Sequence, residues 1–122
     1  MRRLFVLLLL IGLINCTGEK LHPYTIHIIT KRLPDAGDAI IHPVIIKASH
    51  ASDSLAYRDG AAAFVIEYQR MVDRMNRGEK AFTRPVNFIV YNKEGKDIKG
   101  NISKAYQARL FRFIKRKCGE TR

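Results

Sequence analysis

Hydrophobic and polar positions change their rhythm several times along this chain. From Leu4 to Ile14 every residue except Gly12 is apolar. Tyr24 to Arg32, Ala39 to Lys47 and Arg84 to Tyr91 are rich in β-branched and aromatic residues, which predicts three strands. Between Asp53 and Arg77 the period lengthens. Tyr57, Ala61, Phe64, Tyr68, Met71 and Met75 recur at helical spacing, with Val65 and Val72 widening the stripe. Ser52 or Asp53 opens this helix and Gly78 closes it. Gly60 costs it up to about 1 kcal/mol relative to alanine and marks a candidate break near Arg58-Asp59. A second helical pattern starts at Ile102, with Asn101 or Ser103 as its cap. Ile102, Tyr106, Leu110, Phe113 and Ile114 cover about 120° of its circumference, and Lys104, Arg109, Arg112, Lys115 and Arg116 lie opposite.

The turns set the order of these elements. Pro34, Asp35 and Gly37 predict a type I turn closing on a left-handed Gly37, so the first two strands form a hairpin. Pro34 opposite Asp38 puts Tyr24, Ile26, Ile28, Ile40, His42, Val44 and Ile46 on one face of that hairpin and His27 on the other. Pro43 cannot donate a ladder hydrogen bond, which sends its strand to an edge or a bulge. Asn92 to Lys96 repeats the turn chemistry and leads into a short strand at Lys96 to Lys99. The expected fold is α+β with ββαββα order: a two-layer sandwich, an antiparallel sheet of three to four strands with two helices on one face. Val86, Phe88 and Val90 point at the helices. With 122 residues the chain has room for one core, assigned to residues 24–118, with 119–122 as a tail.

The first apolar run is too short to cross a bilayer, which takes about twenty residues. Arg2 and Arg3 precede it and polar Thr17-Gly18-Glu19-Lys20 follows, the layout of a signal peptide over residues 1–15. Leu13-Ile14-Asn15-Cys16 resembles the lipobox of bacterial lipoprotein precursors, with Asn15 standing where a small residue is usual. The resemblance implies a lipid-bearing Cys16, a polar tether over 16–23, and export to the cell envelope or periplasm on a membrane anchor. Such an anchor is strong because each buried CH₂ contributes about 0.8 kcal/mol. The alternative is an ordinary secretory signal cut near Cys16 or Gly18, giving a soluble secreted protein in which Cys16 and Cys118, the only two cysteines, are free to pair. The sequons Asn15-Cys16-Thr17 and Asn101-Ile102-Ser103 matter only in a eukaryotic source.

Charge separates the C-terminal segment from the rest. The net charge is +11, and residues 101–122 carry seven basic residues against Glu120 alone. An exposed basic face of this kind suits lipid headgroups or an anionic envelope polymer within a Debye length. Nucleic acid is disfavoured by export and by the absence of a recognised module.

Candidate chemistry is sparse. His22, His27, His42 and His50 show no metal-ligand spacing, and the hairpin register separates His27 from His42, so neither metal nor cofactor is expected. Ser49 to Ser54 holds the letters of a hydrolase triad without a nucleophile elbow, and helix capping accounts for Ser52 and Asp53. Glu67 is expected to pair with Arg70, and Asp73 with Arg77, on the helix surface. Cys118, beside Lys115, Arg116 and Lys117, is a candidate for a lowered thiol pKa. These readings favour a small envelope lipoprotein acting as a binding or structural module. The competing reading is a soluble secreted basic protein with hydrolase-like activity, resting on His42, His50, Asp53 and Glu67.

Overall fold

The computed structural model describes residues 20–119; the expected signal peptide, Cys16, the first half of the expected tether and the last three residues of the expected tail lie outside that range. The elements are β1 (His22–Arg32), β2 (Val44–His50), α1 (Asp53–Asn76), β3 (Thr83–Tyr91) and α2 (Lys104–Gly119). This is an α+β fold with one three-stranded antiparallel sheet in the order β2-β1-β3. The expected tether therefore ends early, because His22 and Pro23 already belong to β1.

Ile28 faces Val44 and Ile26 faces Ile46, the register implied by Pro34 opposite Asp38. Tyr24, Ile26 and Ile28 are buried on one sheet face, and alternation sends His27 to the other. The ladder stops at Val44, however, and the far half of β1 pairs only with β3. Pro34–Ala36 forms a single 3₁₀ turn, Gly37 takes φ +53° and ψ −123° rather than the left-handed helical conformation, and Arg32 Nη1 donates to the carbonyls of Gly37 and Ala39 at 2.9 and 3.0 Å. Ile40 and His42 consequently sit in an exposed connection and not on the core face; Ile40 is 84% exposed. Pro43 explains the early end: a residue without an N–H cannot extend the ladder.

The expected fourth strand is absent. Past the turn held by Asn92, whose side-chain oxygen accepts from the N–H groups of Glu94 and Lys96, only a single bridge links Tyr91 to Asp97. Ile98 then drops fully into the core, Asp97 Oδ1 accepts the Lys99 N–H, and the backbone turns into a 3₁₀ segment at Lys99–Asn101. Burying Ile98 takes precedence over extending an edge strand. The order is thus ββαβα.

Helix α1 starts where Ser52 Oγ accepts from the Leu55 N–H at 3.2 Å and ends before Gly78, which has φ +77°. Gly60 does not break it. A Cβ at this position would lie 2.7 Å from Val90 Cγ2 and 2.8 Å from Phe88 Cδ2, so glycine is what lets the helix lie against β3. Ala56, Ala61 and Ala63 continue the small-residue contact, and Tyr57, Phe64 and Tyr68 fill its flanks. Val86 departs from expectation. A register shift between Ile29 and Thr30 leaves it half exposed, while Phe88 and Val90 pack inward.

Candidate functional site

Helix α2 begins at a Ser103 cap, whose Oγ accepts from the Tyr106 N–H at 3.2 Å. Leu110 is buried, and Tyr106, Ile114 and Cys118 are half-buried against the core, in line with the expected stripe. Lys104, Arg109, Arg112, Lys115 and Arg116 are all exposed. At 3.6 residues per turn they divide on either side of the outermost line of the helix. Arg109 and Arg116 lie on one flank, with the Arg109 guanidinium 5.8 Å from the Tyr106 ring centroid. Lys104 and Lys115 lie on the other, with Phe111 between them. Cys118 turns inward, so the expectation of a lowered thiol pKa is overturned: burial pushes the thiol up, against a smaller downward pull from Arg84.

The Lys104 flank borders a cleft of about 380 Å³ between α2 and β3. Its walls are Tyr57, Phe64, Phe88, Leu110 and Ile114, and its rim carries Lys99, Lys104, Val86 and Phe111. Phe111 is 63% and Val86 50% exposed. The cleft exists because α2 leans mainly on α1 while β3 ends the sheet beside it. Gln107 ties its upper end together, its amide donating to the backbone carbonyls of Ile102 at 2.9 Å and Lys99 at 3.2 Å. No carboxylate lines it, although burial and, secondarily, the charge of Asp97 raise the Tyr57 hydroxyl pKa. Chemically, this is an apolar trough with a cationic rim.

A second group of polar side chains gathers where β1 and β2 meet the start of α1. The Tyr24 hydroxyl donates to Asp53 Oδ1 at 2.7 Å, and Asn101 Nδ2 donates to Asp53 Oδ2 at 2.9 Å. Burial first, then the hydrogen bond to Asp53 and its charge, push the Tyr24 pKa up to about 12. His50 Nε2 lies 2.8 Å from Asp59 Oδ2, and its ring centroid is 6.2 Å from that of Tyr24. Neither Asp59 nor Asn101 is identifiable as a partner in the sequence, since the contacts span nine and forty-eight residues. The expected catalytic candidates do not converge. His42 is exposed in the connection, Glu67 Oε1 pairs with Arg70 Nη1 at 2.8 Å on the helix surface, and only Asp53 and His50 fall near each other. Among the described residues the side-chain hydrogen bond of His50 runs to Asp59, and Ser52 and Ser103 accept from backbone N–H groups as helix caps. Arg77 pairs with Glu79 instead of Asp73, because the chain turns back at Gly78.

Among the described residues no three His, Cys, Asp or Glu side chains converge as metal ligands, and no helix is long and apolar enough to cross a membrane. Comparison with protein-family models, with curated proteins and with solved structures finds no match to this chain.

Proposed function

We propose that the protein is a small envelope module, anchored by lipid on Cys16, that meets an anionic surface through the outer side of α2. The observation that carries the reading is the run of five exposed cations on a helix that contains no acidic residue. Charges of this kind near an anionic leaflet contribute about 1 kcal/mol each. Together they set the orientation of a domain that a lipid anchor already holds at the membrane. Arg109, Arg112 and Arg116 form the part of this surface that faces away from the cleft.

Mass spectrometry of the mature N-terminus tests the anchor. The expected chain begins at a Cys16 carrying diacylglycerol, and an unmodified start near Cys16 or Gly18 would replace anchoring with secretion. The electrostatic half has its own readout. Binding of the isolated protein to phosphatidylglycerol vesicles should become markedly weaker in Arg109→Glu/Arg112→Glu/Arg116→Glu, and the difference between variant and wild type should vanish by about 0.5 M salt, where exposed charges are screened.

A further inference from the structure

The cleft between α2 and β3 shares Lys104 with the outer basic surface but none of its arginines, and it does not depend on Cys16. Its walls draw on three elements, Tyr57 and Phe64 from α1, Phe88 from β3 and Leu110 from α2, all of which also belong to the core or pack against it. Exposed Phe111, from α2, and Val86, from β3, stand on opposite sides of the rim. A volume of about 380 Å³ falls in the range of small-molecule sites, roughly 300–1,000 Å³. Lys99 and Lys104 are on its rim, and no ion pair of the described residues engages either of them. Gln107 anchors the Lys99 backbone to the first turn of α2, which keeps the two lysines on one rim.

We infer that this cleft binds an anionic amphiphile with a single acyl chain: the chain lies in the apolar trough, and the carboxylate or phosphate headgroup sits between Lys99 and Lys104. Two features select this occupant. Charge complementarity calls for an anion at one end only, since Lys99 and Lys104 are the charged side chains of the lining and the rest of it is neutral and mainly apolar. The free edge of β3 is a poor template for an extended peptide, because Pro85 lacks a donor and the register shift beside it interrupts the ladder. An acyl chain needs no backbone partner. Its methylenes gain about 0.8 kcal/mol each on leaving water, which makes chain length the main source of affinity and the lysines the source of headgroup selection.

The test uses the full chain in vesicles of neutral phosphatidylcholine, where the outer basic surface meets no net anionic leaflet. Dodecanoic acid bearing a diazirine in its chain is photolysed with the protein, and the labelled peptides are mapped by mass spectrometry. Label is expected on the segments containing Phe88 and Phe111, and unlabelled dodecanoic acid or dodecyl phosphate should displace it; which of the two competes better identifies the headgroup. Lys99→Gln/Lys104→Gln should reduce labelling about tenfold, as expected for two charge-assisted contacts. Arg109→Gln/Arg112→Gln, on the far flank, should leave it unchanged. Ala108→Trp, which fills the mouth from an exposed position, should abolish it while the circular dichroism spectrum stays native. Label confined to the leader, label equally displaced by dodecanol, or label displaced only by an acidic peptide would each overturn the inference.

Discussion

The two helices meet the same core by opposite means. Helix α1 presents Ala56, Gly60 and Ala61 to the sheet, and the absence of side-chain bulk brings its backbone against Val90 and Phe88. Helix α2 presents Tyr106, Leu110 and Ile114, of which only Leu110 is fully buried. Small residues close the gap beneath α1, and large ones hold α2 away from β3. The space left beside α2 is the cleft. A cleft can thus arise where a helix packed by its large side chains lies next to one packed by its small ones.

Filling the close contact under α1 is the harshest way to test this contrast. Gly60→Val places branched carbon where a Cβ is already too near Val90 and Phe88, and should destabilise the fold by about 3 kcal/mol despite removing a helix-interior glycine, as read by urea unfolding. A substitution that stabilises the protein would mean that α1 can lift from the sheet. Under α2 the opposite change is informative. Leu110→Ala should cost about 2 kcal/mol, near the low end for a buried leucine, because the new space opens into an existing cleft and does not become a sealed cavity. A loss of about 5 kcal/mol would instead place α2 in the tightly packed part of the core.

The smallest effect concerns the link between the helices, where Asp53 at the start of α1 accepts from Tyr24 and from Asn101 ahead of α2. Tyr24→Phe should cost about 1 kcal/mol at neutral pH through the lost hydrogen bond. The pH dependence has a definite sign. With its pKa raised to about 12, folded Tyr24 keeps its proton after the unfolded phenol, at its ordinary value of 10.0, has lost it. This contribution is complete below pH 10 and is lost as pH rises toward 12, amounting to roughly 2–3 kcal/mol. The wild-type advantage over Tyr24→Phe should therefore shrink across that window and then reverse. A constant difference would mean that Tyr24 ionises as freely in the fold as in the unfolded chain.

Local order was legible in the chain wherever one residue type leaves one solution. The β-branched runs, the Ser52 and Gly78 limits of α1, the Ser103 cap and the stripe of α2 all depend on contacts a few residues apart. Even the β1–β2 register follows from placing Tyr24, Ile26 and Ile28 on the same face as Val44 and Ile46. The segment after Lys96 is not legible as a turn, because alternation in a four-residue stretch does not distinguish a strand from a turn that buries Ile98. The role of Gly60 is hidden for a related reason. Its meaning lies in Val90 and Phe88, about thirty residues away, and helix propensity records none of that.

By itself, then, the sequence determined the two helices, the three strands, their antiparallel hairpin and the basic side of α2, because periodicity and capping are short-range properties of the backbone. Tertiary structure alone decided the pairing of His50 with Asp59, the meeting of Tyr24 and Asn101 at Asp53, the inward turn of Cys118, and the cleft with Lys99 and Lys104 on its rim. Each joins residues distant in the chain, and their separation in space is set by how closely side-chain bulk allows two elements to approach.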